Sequence, residues 1–142
     1  MILLRIGSLK EEKPAIIDKL GIFRDLSSVI KDLNAETINQ NTLELINKTD
    51  LSKLPKLSKN LRIGACVSNP QKFVGIGLNY TDHAEETCMK TPNEPIIFIK
   101  ANSCISGPND NVLLPKKSKK TDWEIELGIV IGKKARYISK NK

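Results

Sequence analysis

The sequence predicts a mostly β fold with a minor α component, and three observations carry that expectation. Short apolar runs bounded by Gly, Pro, Asn or Ser recur along the chain, at residues 2–6, 73–78 and 95–100. Helical signals are few and short, which argues against strands and helices alternating around a parallel sheet. The third observation is the stretch 121–132, where side chains alternate between two unlike faces. Trp123, Ile125, Leu127, Ile129 and Ile131 form an apolar stripe that predicts a buried strand face. Asp122, Glu124 and Glu126 share the other face, ahead of Gly128, Val130 and Gly132.

Taken in order, residues 2–6 are a short apolar strand closed by Gly7-Ser8. Runs at 14–18 and 22–26 flank Lys19-Leu20-Gly21, the signature of a hairpin. Ser27 or Ser28 can cap a turn through Val29 to Leu33, and residues 41–46 read as a short helix ending near Asn47-Lys48. Pro55 stands among Lys and Ser between isolated leucines, which is linker chemistry. Residues 1–67 are therefore expected to form a small β-rich domain with its linker, and residues 68–142 a second domain.

In that second part, Phe73-Val74-Gly75-Ile76-Gly77-Leu78 predicts a buried strand leading into a helical turn, with Asn79 as its N-cap and Thr81 and Asp82 in its first turn. Gly75-x-Gly77 lacks the third glycine and the later acidic residue of a dinucleotide fingerprint, so the glycines point to close backbone approach. Residues 95–100 predict a second buried strand ending in Lys100, and Ser106-Gly107-Pro108-Asn109-Asp110 a turn. Residues 112–115 predict a short strand before the acidic one.

Composition narrows the function classes. Hydrophobic content of 39% and charged content of 27% are those of a soluble globular chain. The net charge of +7 suits an anionic partner, but the lysines are dispersed and aromatics make up 4%, so nucleic acid is not predicted. Lys116, Lys117, Lys119 and Lys120, beside Pro115 and Ser118, read as a solvated turn. Cys66, Cys88 and Cys104 form no C-x-x-C pair, and Cys104 is expected to be a packed, inert thiol. No apolar run reaches membrane-spanning length, and the expected setting is the reducing cytoplasm.

Several residues carry possible chemistry. Glu124 and Glu126, two apart on a strand, have Cα atoms roughly 6.5–7 Å apart, within reach of one divalent cation. On this stretch alone a solvated acidic edge is the favoured reading. His83, the single histidine, stands three residues before Glu86, and a helix would place both on one face. That pair can act as a general base with a carboxylate partner, although a surface histidine is the commoner outcome. Lys100 can stabilise a developing enolate or simply snorkel from a sheet edge.

The order of these features is more specific than any one of them. Gly75-Ile76-Gly77-Leu78-Asn79-Tyr80-Thr81-Asp82-His83, residues 95–100, Ser106-Gly107-Pro108-Asn109-Asp110 and residues 121–136 resemble the fumarylacetoacetate hydrolase family, in its bacterial branch of 2-oxo-acid enzymes. Arg24-Asp25-Leu26 and its surroundings look like that branch's small accessory domain. The resemblance implies the first part of a β-roll catalytic domain. It further implies Mg²⁺ or Mn²⁺ held by Glu124 and Glu126, a water-activating dyad of His83 and Glu86 on a lid, and Lys100 steadying an enolate. The substrate would be a small 2-oxo acid, and the full-length form a homodimer. Hydrolysis or lyase cleavage of a 2,4-dioxo acid is the leading expectation, with wording closest to ureidoglycolate lyase or 2,4-diketo-3-deoxy-sugar-acid hydrolase members. Isomerisation or decarboxylation of 2-oxo dicarboxylic acids, or a non-catalytic remnant, are the alternatives.

Two departures accompany the resemblance. The founding animal-type hydrolase has a further acidic ligand where this chain has Gly75-Ile76-Gly77, and the family's next metal-binding aspartate would fall after Lys142. Ser139 is a natural N-cap with no helix following it. The expectation is a fragment, or the product of a split or prematurely ended gene, which alone binds Mg²⁺ weakly and turns over nothing.

Overall fold

The computed structural model describes residues 1–141. They form two compact units, one of Met1–Ser68 with the segment that begins at Ser106, the other of Asn69–Ile105. The described residues hold six strands, two α-helices and two 3-10 turns, so the fold is mostly β with a minor α part.

In the first unit β1 (Ile2–Ile6), β2 (Lys13–Ile17), β3 (Phe23–Asp25) and β4 (Lys56–Leu57) make one antiparallel sheet in sequence order. The register pairs Leu4 with Ala15 and Ile17 with Phe23. The predicted hairpin is there, and Asp18 explains why it closes. Its Oδ1 accepts from the N–H groups of Leu20 and Ile22, each at 2.9 Å, while Gly21 takes the left-handed φ of 71°.

Both faces of this sheet are covered. Ile16 packs with Leu26, Ile30, Leu33 and Ile46 on one side, and Leu4, Ile6 and Ala15 pack with Phe23, Leu57 and Ile63 on the other. The near-continuous apolar runs of β1 and β2 follow from that two-sided burial. Ile46 comes from α1 (Gln40–Lys48), where Asn39 caps the start by accepting from the Thr42 N–H at 3.0 Å. The C-cap N–H of Thr49 reaches the Ile46 carbonyl, and Lys48 sits favourably in the last turn.

The second unit is built on β5 (Phe73–Gly77) and β6 (Ile96–Lys100), an antiparallel pair running Phe73 opposite Lys100 to Gly77 opposite Ile96. Between them lies α2 (Thr81–Glu86). Neither strand is buried as its sequence predicts: Ile97 and Ile99 are exposed, and Val74 and Ile76 partly so. A two-stranded ribbon has no second layer of its own to cover its faces.

The largest departure concerns residues 121–131. They belong to neither sheet, and the apolar stripe is solvent-exposed, with Trp123 at 81%, Ile125 at 84% and Ile131 at 77%. Residues 112–114, also predicted as strand, likewise belong to neither sheet. Alternation specifies a two-faced extended segment, but a strand exists only once a neighbouring backbone takes its hydrogen bonds. Cys104 is exposed rather than packed, at the end of the 3-10 turn Asn102–Cys104 that follows the uncovered ribbon. Residues 139–141 form no helix, and Lys142 lies outside the described residues.

Candidate functional site

The residues singled out from the sequence fall in both units. His83, Glu86 and Lys100 lie in the second; Glu124 and Glu126 lie in an exposed segment of the first, outside its sheet.

His83 and Glu86 both sit on α2, whose single buried residue is Ala84. Entry into this helix differs from the sequence expectation, because the cap is Tyr80 rather than Asn79, and Tyr80 makes no side-chain cap bond. The cause is Leu78, which turns the chain out of β5 with φ at 49°, a left-handed conformation that costs a bulky residue energy. The exit is better satisfied. The Met89 N–H donates to the Ala84 carbonyl at 2.9 Å and the Cys88 N–H to the Glu85 carbonyl at 3.0 Å. Cys88 has φ at 53°, so this is a Schellman ending with cysteine where glycine is usual. Thr87 adds a bond from its hydroxyl to the His83 carbonyl at 2.9 Å. Both side chains of the His83/Glu86 pair are exposed, and among the described residues no hydrogen bond joins them.

Lys100 ends β6 with its ammonium 5.6 Å from the Phe73 ring centroid and 5.9 Å from that of Phe98. The two rings hold the cation at cation–π distance, placing it on one face of the ribbon. Gly75, directly opposite Phe98, makes this possible: a Cβ there would come within 2.7 Å of the Phe98 Cε2. Gly75 thus serves close approach, to a ring rather than to backbone, whereas a Cβ at Gly77 would meet Ile96 at an ordinary contact distance of 3.4 Å.

Glu124 and Glu126 are exposed, and among the described residues no group of three or more His, Cys, Asp or Glu is placed to hold a metal ion. The two carboxylates offer hard oxygen donors suited to Mg²⁺ or Mn²⁺. Such ions take about six oxygens, so these residues alone do not build a closed cation site.

Sequence reading misses the strongest electrostatic feature, a chain of alternating charges in the first unit. Asp32 accepts from the Arg5 Nε at 2.7 Å, Arg5 lies 3.5 Å from Glu12, and Glu12 accepts from Arg62 at 2.7 Å. Arg62 then grips Asp110 with Nε and Nη2 at 2.7 and 2.6 Å. Asp110 also accepts from the Gly107 N–H at 2.7 Å, closing the Ser106–Asp110 turn on itself. Burial pushes the Glu12 carboxyl up, but the Arg62 hydrogen bond and the Arg5 charge outweigh it and hold the group below its ordinary value. The Arg62 bond, then the Gly107 N–H, does the same for Asp110. Partners 48 residues apart leave no local signature, which is why only the turn is legible beforehand.

Residues 72–142 match the fumarylacetoacetate (FAA) hydrolase C-terminal family, and the chain belongs to that family. Its sequence is 49% identical over 138 residues to a protein named "Putative hydrolase" from Burkholderia cenocepacia, covering 97% of this chain and 49% of that one. A protein of the same name from Burkholderia lata is 50% identical over 132 residues, covering 93% of this chain and 47% of its own length. The chain thus spans about half the length of these relatives. Among the described residues no helix is long and apolar enough to cross a membrane.

Proposed function

We propose that the protein serves divalent-metal-dependent hydrolase or lyase chemistry on a 2,4-dioxo acid or a related 2-oxo acid. The observation that carries this reading is the family match over 72–142, which contains all of His83, Glu86, Lys100, Glu124 and Glu126. Members of the family generally use divalent metals. When bound, such an ion would polarise the 2-oxo-carboxylate end of the substrate, and Glu124 and Glu126 are the residues that would hold it.

The remaining roles belong to this chain's own side chains. His83 Nε2 or Nδ1 takes the proton of an attacking water, and Glu86, one helical turn on, stabilises the resulting imidazolium. Lys100, fixed between Phe73 and Phe98, offers a positive charge to the enolate left by carbon–carbon cleavage. Isomerisation or decarboxylation of a 2-oxo dicarboxylate would draw on the same enolate stabilisation.

A second reading, a chain that keeps the fold without catalysis, is favoured by one observation: Glu124 and Glu126 lie on an exposed segment outside both sheets. A chimera separates the two readings. This chain replaces the matched 138 residues of the Burkholderia cenocepacia relative, and the product is assayed with acylpyruvates, oxaloacetate, ureidoglycolate and diketo sugar acids. Turnover of a 2,4-dioxo acid that vanishes with EDTA and in Glu126→Ala is the expected result. Turnover that survives both treatments, or none on any substrate, sinks the metal-dependent reading.

A further inference from the structure

The chain passes between its two units twice, after Ser68 on the way out and before Ser106 on the way back. On the first-unit side both crossings are tied down. The Ser68 N–H donates to the Leu33 carbonyl at 2.7 Å, and the Leu33 N–H donates to the Asp32 carboxylate at 2.8 Å. The Ser106–Asp110 turn is held by the Arg62 fork on Asp110. Within the second unit, the Asn102 side-chain amide donates to the Pro70 carbonyl at 2.7 Å, which ties the two ends of that unit to each other.

The ties at the two crossings are the two ends of one ionic chain. Glu12 stands at its middle and divides its carboxylate, Oε2 lying 3.5 Å from Arg5 and Oε1 accepting from Arg62 at 2.7 Å. The Glu12 and Arg5 side chains are only 6% and 10% exposed, so salt and solvent screen them little. Removing one partner leaves a buried charge uncompensated, and the neighbours that shared it must re-pair. Groups joined in this way respond as a unit rather than pair by pair. The stretch leading to the first crossing is also laced along β1: the Gly7 N–H donates to the Arg62 carbonyl at 2.9 Å, and the Gly64 N–H to the Arg5 carbonyl at 2.8 Å.

We infer that Asp32, Arg5, Glu12, Arg62 and Asp110 form a two-state latch, in which both chain crossings are held together or released together. The segment between the crossings carries His83, Glu86 and Lys100, so the latch governs how that segment is attached at its two ends. An element with two discrete arrangements is one that a ligand can bias, provided it binds one arrangement better than the other. The inference does not depend on which reaction the protein serves.

The test follows amide exchange by NMR on the full chain, at the Ser68 N–H for one crossing and at the Asp110 N–H, bonded to the Gly107 carbonyl at 3.1 Å, for the other. Glu12→Gln removes the central charge and keeps the shape, at a residue bonded to Arg5 and Arg62 rather than to either crossing. It should speed exchange at Ser68 and at Asp110 by at least about fivefold each, while the Leu43 amide in α1 stays within about twofold of the parent. Asp110→Glu moves one terminal carboxylate by a methylene and keeps its charge. Because coupling is reciprocal, it should speed exchange at Ser68, at the opposite end of the network, as well as at its own turn. Acceleration confined to one crossing, no change at either, or an equal rise that includes Leu43 would each overturn the latch. Should Glu12→Gln fail to fold, the response of Ser68 in Asp110→Glu decides on its own. None of these readouts depends on catalytic turnover.

Discussion

Arg62 and Asp110 face each other through two parallel hydrogen bonds, Nε to Oδ1 at 2.7 Å and Nη2 to Oδ2 at 2.6 Å. This two-pronged grip needs the planar fork of a guanidinium, which an ammonium cannot copy. Arg62→Lys should therefore lower the melting temperature of the first unit nearly as far as Arg62→Ala, even though the charge is kept. Thermal unfolding followed by circular dichroism measures this. A lysine variant as stable as the parent would show that charge alone holds the Ser106–Asp110 turn.

Acid should unfold the first unit through the same network and through the separate Asp18–Arg24 pair. Asp110 is lowered by Arg62 and Gly107, and Asp18 by the Ile22 N–H followed by Arg24. Asp32 and Glu12 are lowered too, the arginines outweighing a burial effect of opposite sign. A carboxyl whose folded pKa lies below its unfolded value contributes stability that is complete above the unfolded value and is lost as pH falls through the folded one. The ordinary values are 3.8 for aspartate and 4.5 for glutamate. Stability in urea should stay flat from neutrality to about pH 5, then fall progressively below about pH 4. A steep loss between pH 6 and 7 would contradict this, since these four carboxyls do not titrate there.

Cys88→Gly should stabilise the end of α2. Cysteine holds φ at 53° in the Schellman ending, where glycine carries no Cβ penalty. The left-handed conformation costs an L-residue about 1–2 kcal/mol, part of which glycine's greater unfolded freedom takes back, so a gain of about 1 kcal/mol is expected. Amide exchange at Cys88 and Met89, whose N–H groups close the helix, is the readout. Faster exchange in the variant would refute the argument.

Gly75→Ala should displace the Phe98 ring, since the new methyl would sit within 2.7 Å of Cε2. The ring is 45% exposed and can swing aside, so the cost stays near the low end for an overpacked position, about 1 kcal/mol. The clearer effect is on Lys100, which loses one of its two aromatic neighbours. Ring-current shifts of the Lys100 Hε resonances should shrink. Unchanged shifts would mean that Phe73 alone sets the position of the ammonium.

What could be read from the sequence divides along a physical line. Local chemistry is legible: the Asp18 to Ile22 hairpin, the helix starting near Asn39, and the two strands that place Gly75 and Lys100. Anything that needs a distant partner is not. The 121–132 alternation is visible as two faces, yet whether it becomes a strand depends on a neighbour the local pattern does not contain. The Arg62–Asp110 pair spans 48 residues, and nothing near either residue announces the other. The Asn79 cap fails for a related reason: an asparagine can cap a helix only where the backbone starts one, and Leu78 shifts that start to Tyr80. For the candidate residues, spacing puts His83 and Glu86 on one short helix. The sequence does not say how their side chains orient, since neither is fixed by packing.

The two left-handed joints at Leu78 and Cys88 bracket six helical residues. A helix this short cannot sustain itself, because nucleation fixes several residues for each bond gained. Its one inward anchor is Ala84, among the smallest side chains available. The segment bearing His83 and Glu86 should therefore melt locally at a free energy below that which opens the β1 to β3 sheet. Hydrogen exchange would record it as a separate low-energy foldon. A ligand that touched His83 or Glu86 would meet a population of open and closed forms, and its affinity would include the free energy of ordering them.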